Sequence, residues 1–396
     1  MEIILRDYQQ KAADAAVNFL IQRGYGGGLL VLPTGSGKSV VIADIARRIK
    51  SPLLIFCPSK EILEQNYGKM EKVAKGCSTM YSASVGQKKI SMITFATIGS
   101  VNNHPEDFDV FRHILVDESH LVNAKGGMYE RFIHRRPDRR VIGLTATPYR
   151  LGRGVDGASI LKFLTRTKPR IFQKLLYYCQ ISDLLSRGYL AELRYFDLSG
   201  QVSFDINRVL TNSTGAEYDD ESLQMEIERS GFAQDLFNWT MRVLHPKSGT
   251  PRSGVLVFTR FVRESEILVQ KLAEKGIKAA IVTGETPKRE REKIIKAFKS
   301  GDIQVVSNAQ TMTTGFDYPE LDTIIMARPT KSLSLWYQCV GRAIRPYPNK
   351  VGWILDLCSN YKRFGAVADL KIGLEKPNSE RWAIFSKGRQ LTNVMY

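Results

Sequence analysis

The sequence predicts an α/β fold of two domains, each a parallel β-sheet covered by helices. Three observations carry this prediction. Short apolar runs alternate with amphipathic stretches, in two successive series along the chain. The runs are continuous in their apolarity, the pattern of strands buried on both faces. At 396 residues and 43% hydrophobic composition, the chain is long enough for two or three cores.

In the first series the predicted strands are Leu29–Leu32, Leu53–Cys57, Met92–Ala96, Ile114–Val116 and Val141–Leu144, with helical patterns at Val40–Ile49 and Glu61–Lys75. In the second they are Val255–Thr259, Ala279–Val282, Gln304–Ser307, Thr323–Ala327 and Trp353–Leu357, separated by helical stretches at Val262–Lys275, Lys288–Lys299 and Leu333–Ile344. The stretch 195–250 is polar and locally acidic, as in Glu217-Tyr218-Asp219-Asp220-Glu221, and reads as a connector or small insertion. From about 363 the patterning weakens. The expected organisation is a first domain over 1–170, a connector and start of the second lobe over 171–250, a second domain over 251–362 and a C-terminal tail over 363–396.

Lys and Arg number 57 against 40 Asp and Glu, a formal charge of +17. Such an excess disfavours compaction unless a polyanion uses it, with nucleic acid the first expectation and an acidic membrane surface the second. Residues 131–170 hold eleven Lys or Arg against two Asp, including Arg135, Arg136, Arg139 and Arg140. These arginines read either as phosphate contacts or as a solvated loop. The five cysteines are widely spaced without a CxxC pair, which points to buried thiols in a reducing compartment. No apolar run approaches the roughly 20 residues of a membrane span, and the N-terminus lacks the pattern of a signal peptide. The expected location is cytoplasmic, with no membrane partner.

Thr34-Gly35-Ser36-Gly37-Lys38-Ser39 lies between a predicted strand and a predicted helix. Glycines there let backbone N–H groups turn inward around phosphates, and the helix N-terminus adds partial positive charge. Lys38 would reach the β- and γ-phosphates and the Ser39 hydroxyl would ligate Mg²⁺. Asp117-Glu118-Ser119-His120 follows the strand Ile114–Val116, and the carboxyl ends of such strands face the ligand crevice. Asp117 would hold Mg²⁺ and Glu118 would polarise an attacking water. Thr145-Ala146-Thr147-Pro148 could hydrogen-bond this acidic pair. Gln338, Arg342 and Arg345 stand at i, i+4 and i+7 of a predicted helix and would share one face. Two guanidiniums on one face suit a γ-phosphate that gains charge in a transition state. Thr313-Thr314-Gly315-Phe316-Asp317 allows close approach of backbone to a phosphate, of a nucleotide or of a nucleic-acid strand, with Asp317 available to a ribose hydroxyl or an arginine.

In this order the motifs resemble those of superfamily 2 helicases and translocases, over roughly residues 3–360. The resemblance implies two RecA-like P-loop domains, with ATP and Mg²⁺ as cofactors. It implies that Gln9 reads the adenine edge with support from Arg6. It makes Pro58-Ser59-Lys60, Thr94–Thr97, Thr259-Arg260 and Thr313 nucleic-acid contacts. More narrowly, the chain is similar to the RadD (YejH) group of DNA-repair ATPases on Leu5-Arg6-Asp7-Tyr8-Gln9-Gln10, Leu144–Gly152, Gly284-Glu285-Thr286-Pro287 and Arg328-Pro329-Thr330-Lys331-Ser332. That group continues into a cysteine-rich zinc-binding region, and such cysteines are absent from these 396 residues. The activity expected is an ATP-dependent DNA motor in repair or recombination. It would act as a monomer on single-stranded, forked or branched DNA, with a single-strand-binding or recombination protein as a further partner. An RNA helicase and an ATP-switched nucleic-acid clamp remain the alternatives.

Overall fold

The computed structural model describes residues 4–123, 125–153, 159–247, 249, 251–252, 254–309 and 318–394. It divides into two compact units. The first comprises 1–154, 160–183 and 370–396, the second 155–159 and 184–369.

The first unit is built on an eight-stranded sheet. In spatial order its strands are Lys174–Tyr178, Gly26–Val31, Arg140–Thr145, His113–Asp117, Leu53–Phe56, Ile93–Ala96, Thr79–Ser82 and Gln87–Lys88. Every pairing is parallel except that of the last two strands. Leu53–Phe56 and Ile93–Ala96 are buried throughout, as their continuous apolarity requires. Because the strands run parallel, the loops after Val31, Asp117 and Thr145 emerge at one edge. Lys174–Tyr178, expected in the connector, instead extends this sheet beside Gly26–Val31.

The tail expected over 363–396 carries an antiparallel three-stranded sheet, Leu370–Leu374, Trp382–Ser386 and Arg389–Gln390. Two reciprocal bonds between Gln180 and the backbone of Ile372, at 2.9 and 3.1 Å, and Tyr178 against Trp382 at 5.3 Å fasten it to the first unit. Its strands are short and interrupted by Gly373, so its polarity pattern is weak in sequence.

The second unit has a six-stranded, wholly parallel sheet. Its spatial order is Glu192–Asp197, Val351–Asp356, Thr323–Ala327, Val255–Thr259, Val305–Ala309 and Ala279–Val282. The supposed connector is integral to this unit. Glu192–Asp197 forms the edge strand, and the helices Asp220–Ser230 and Phe232–Leu244 bury Leu223, Ile227, Phe232, Leu236 and Val243 in one core with Val255, Val257 and Leu268. Of the acidic residues that made this stretch read as a linker, Asp219 caps the helix Asp220–Ser230 and Asp220 and Glu221 lie exposed in its first turn.

Glu264, on the helix Val262–Glu274, is 3% exposed and accepts the Phe261 N–H at 3.1 Å. Burial pushes its carboxyl up to about 7 from 4.5. Between those values the folded state binds more protons than the unfolded chain, so this group's contribution to stability is full below pH 4.5 and is lost as pH rises through 7. Glu264→Gln keeps the N–H acceptor and removes the charge. It is expected to stabilise the second unit by about 2 kcal/mol at pH 8, with no gain at pH 4. Denaturant titrations at the two pH values check this.

Candidate nucleotide site and nucleic-acid face

The phosphate loop leaves the strand Gly26–Val31 and enters the helix Lys38–Arg48. Leu32 N–H donates to the Thr145 carbonyl at 3.0 Å, which ties the loop's base to the neighbouring strand end. Gly35 and Gly37 have φ of +80° and +84°, a region that side chains rarely tolerate. A Cβ on Gly37 would also stand 2.6 Å from Gln9 Nε2. The Ser36 hydroxyl donates to the Pro33 carbonyl at 2.6 Å, and the Ser36 carbonyl accepts from Tyr8 Oη and Gln9 Nε2, both at 2.7 Å. Gln9 Oε1 accepts the Arg6 N–H at 2.9 Å. Gln9, expected to read a base edge, thus has both ends of its amide engaged within the protein, where it braces the phosphate loop. Thr34, Lys38 and Ser39 stay partly accessible around this loop.

At the end of the strand His113–Asp117, Asp117 is 5% exposed. Its carboxylate accepts Asn66 Nδ2 at 2.8 Å and the Glu118 N–H at 2.9 Å. Burial, reinforced by the charge of Glu118, pushes its pKa up to about 6. Glu118 adopts φ +49° and places Oε1 3.8 Å from Lys38 Nζ and Oε2 3.4 Å from His120 Nδ1. His120 meets the Thr145 hydroxyl at 3.0 Å, and Thr145 Oγ1 accepts the Thr147 N–H at 3.0 Å. Burial holds His120 below its ordinary range. His120 Nδ1 thus stands between Glu118 Oε2 and the Thr145 hydroxyl, and that hydroxyl, expected on the acidic pair, meets His120 instead.

Asn66 escaped sequence reasoning. It lies on the helix Lys60–Val73, 2% exposed, and no motif marks it. It is a positioning residue that aims Asp117 and opposes the rise in its pKa. Asn66→Ala is expected to cut nucleotide-dependent activity by about 10–100-fold, and Asn66→Asp to cut it further by adding a second buried carboxylate. Assays of turnover against Mg²⁺ concentration check this.

The expected nucleic-acid contacts separate into two groups. Pro58, Ser59 and Lys60 are partly accessible; Ser59 Oγ caps the following helix by accepting Ile62 N–H at 3.4 Å, and Lys60 Nζ reaches the Ser84 carbonyl at 2.8 Å. Thr94 is fully buried, its hydroxyl closed on Ser91 at 2.9 Å. Thr259 is fully buried on Ser265 at 2.8 Å and the Phe261 carbonyl at 3.0 Å. Both hydroxyls are spent inside the protein: Thr94 is the second residue of the buried strand Ile93–Ala96 and Thr259 the last of the buried strand Val255–Thr259. Arg260 follows the strand and pairs in bidentate fashion with Asp220, at 2.8 Å for each bond. Thr313, Gly315 and Asp317 lie outside the described residues.

The predicted helix Leu333–Ile344 ends early, at Val340. Arg342 N–H and Ala343 N–H bond to the carbonyls of Cys339 and Val340, three residues back, at 3.1 and 3.0 Å. Pro346, which lacks an N–H and disfavours helical backbone at the residue before it, bars a return to helix at Arg345. Gln338 is helical, Arg342 is buried and Arg345 is partly accessible in the following turns, so the three do not form the single helical face expected of them. The basic run 135–140 is also not a uniform phosphate surface. Arg135 pairs with Asp109 at 3.0 Å, Arg136 with Asp138 at 2.8 Å, and the Arg139 side chain is wholly enclosed. Among the described residues no helix is long and apolar enough to cross a membrane.

Two family models match the chain, "Type III restriction enzyme, res subunit" over residues 2–150 and "Helicase conserved C-terminal domain" over 236–347. A 51.5 kDa protein of a Lactococcus phage is 25% identical over 336 residues, covering 84% of this chain and 66% of that protein. The DNA 3'-5' translocase XPB2 of Sulfurisphaera tokodaii is 24% identical over 362 residues, covering 87% of this chain and 79% of the relative. This chain spans 66% of the phage protein's length and 50% of that of the putative ATP-dependent helicase IRC3 of Saccharomyces cerevisiae, to which it is 25% identical. The fold is similar to that of the type ISP restriction-modification enzyme LlaBIII, with a TM-score of 0.65 at 17% identity, over 90% of this chain and 28% of that one. The chain therefore joins a region similar to the res subunit of type III restriction enzymes to one similar to the helicase conserved C-terminal domain, on a fold of two RecA-like lobes.

Proposed function

We propose that this core hydrolyses ATP and uses the cycle to move on DNA as a helicase or translocase. The observation that carries the reading is the arrangement of Lys38, Asp117 and Glu118: a lysine at a helix start, 3.8 Å from a carboxylate that follows a buried aspartate. Lys38 and the loop N–H groups bind the phosphates. Glu118 accepts a proton from the attacking water, and His120 holds Glu118 in place. The Ser39 hydroxyl and the Asp117 carboxylate are oxygen donors suited to Mg²⁺, which when bound neutralises phosphate charge. Among the described residues no three His, Cys, Asp or Glu gather into a metal site by themselves, consistent with an ion that takes its other ligands from phosphate and water. Arg342 and Arg345 are proposed to stabilise charge on the terminal phosphate. The net charge of +17 supports a nucleic-acid polymer, and the name of the Sulfurisphaera tokodaii relative supports DNA. The motifs shared with the RadD group support a role in repair or recombination on single-stranded, forked or branched DNA.

The test is ATP hydrolysis at fixed low salt without polymer and with single-stranded, duplex, forked or branched DNA, or RNA. Strong stimulation by one DNA form is expected. Stimulation by RNA alone would replace DNA with RNA in this reading, and hydrolysis indifferent to every polymer would overturn it.

A further inference from the structure

The carboxyl edge of the second sheet gathers positive charge. Arg260 follows the strand Val255–Thr259, Arg328 follows Thr323–Ala327, and Arg363 lies on the helix Asn360–Phe364, beyond Val351–Asp356. The first two strands are neighbours, as are the last two. The cations feel one another: burial and then Arg260 lower the pKa of Arg328, and burial and then Arg363 lower that of Lys331. Ligands of open parallel sheets bind at this edge.

Acidic side chains from the segment 217–228 already occupy these donors. Asp220 accepts both arms of Arg260 at 2.8 Å. Glu228 accepts Arg263 Nη1 at 2.5 Å. Glu217 accepts the Thr330 hydroxyl at 2.6 Å and the Lys331 N–H at 2.8 Å, a hydroxyl and a backbone donor of the kind that holds a phosphate oxygen. Arg363 donates to Tyr218 Oη at 2.7 Å. The segment is not a loose flap. Tyr218, Leu223 and Ile227 are buried in the unit's core, and Asp219 caps the helix by accepting Ser222 N–H at 2.9 Å. Its carboxylates are nevertheless in contact with water, with the Asp220 side chain 58% and that of Glu228 45% exposed. Exposed ion pairs of this kind exchange readily.

We propose that Glu217, Asp220 and Glu228 stand where nucleic-acid phosphates bind the second unit, as an internal competitor that DNA must displace from Arg260, Arg263 and the Thr330–Lys331 backbone. The inference rests on the proposed nucleic-acid reading. It makes the acidic segment a built-in brake on non-specific binding by a strongly basic protein. A carboxylate freed by an incoming phosphate takes up a cation in place of the one the DNA sheds, whereas an unmasked arginine that neutralises a phosphate gives a net release of counterions.

The experiment measures binding of fluorescently labelled single-stranded and duplex DNA by anisotropy, across a salt series, for the native chain and the Asp220→Asn/Glu228→Gln variant. The variant is expected to bind roughly tenfold more tightly at low salt, with a slope of log K against log salt steeper by about 2. Adding Arg260→Ala to the variant is expected to remove about half of the extra slope. Unchanged or weaker binding by the double variant, with native binding intact, would overturn the inference alone. It would mean that these carboxylates orient the arginines or lie away from the DNA. Absence of binding by both proteins to every DNA would overturn the nucleic-acid reading and this inference with it.

Discussion

Lys38→Ala is expected to lower ATP turnover by roughly 10²–10³-fold or more, while DNA binding and thermal stability stay close to native. Two losses combine. The first is the positive charge at the start of the helix Lys38–Arg48, where phosphate charge must be held. The second is electrostatic support of the acidic box. Lys38 lowers the pKa of Asp117, which burial has already pushed up to about 6. Without the lysine Glu118 loses its 3.8 Å partner and the two carboxylates face each other without their counter-charge. Raising ATP concentration should therefore not restore the rate. The stability expectation follows from position: the lysine is at the rim of the loop, and Gly35, Gly37 and the Tyr8–Gln9 brace on Ser36 hold the backbone without it. The check is steady-state hydrolysis with DNA present, beside DNA anisotropy and a melting curve. Turnover within a few-fold of native would remove Lys38, and with it the assignment of this loop, from the chemistry.

Arg139→Ala is expected to destabilise the first unit by about 3–5 kcal/mol, without direct injury to the nucleotide site. Its side chain is fully enclosed. Nε donates to the Phe111 carbonyl at 3.2 Å and Nη2 to the Phe108 carbonyl at 3.1 Å; Nη1 donates to the Phe132 carbonyl. Asp109 supplies the counter-charge at 3.3 Å, and the guanidinium lies 4.0 Å from the centre of the Phe132 ring. Burial lowers its pKa to about 10, so the group remains charged at neutral pH. Alanine removes the guanidinium donor from the Phe111 and Phe132 carbonyls, leaves Phe108 with the Phe111 N–H alone, and opens the join between 108–111 and the helix Met128–His134. Arg139→Lys should recover little, because an ammonium cannot present the planar fork that spans these acceptors. The exposed Arg135 provides the contrast: its removal is expected to change stability little. Chemical denaturation of the three variants checks the order, and an Arg139→Ala protein as stable as native would refute the structural role.

The distinction between these two basic residues shows where the sequence was legible. Lys38 is identified by neighbours in the chain, two glycines before it and a hydroxyl after it, because a phosphate loop is a local backbone conformation. Asp117 and Glu118 are identified by their place at a strand end. Arg139 stood in a run of arginines with nothing local to separate it from Arg135 or Arg136. Its acceptors lie 28 and 31 residues upstream and 7 upstream, and only the fold brings them together. Asn66 was invisible for the same reason, with Asp117 standing 51 residues away. The misreadings also have physical causes. Helical periodicity continued past Val340 in the sequence, but the ladder gives way to bonds three residues back at Arg342 and Ala343, and Pro346 bars a return to helix at Arg345. The acidic 195–250 region looked like a linker because composition does not show which face of a helix is buried.

Fold class, the strands of the two apolar series, the phosphate loop and the acidic box were determined by the sequence itself, since each depends on residue types at short spacing that dictate backbone conformation and burial. The tertiary structure alone decided the partners: that Gln9 braces the phosphate loop, that Asn66 aims Asp117, that residues 370–390 return to the first unit, and that Asp220 and Glu228 lie on the arginines of the second. These are contacts across long sequence separations, set by which strand ends and helix faces the packing of each sheet brings together.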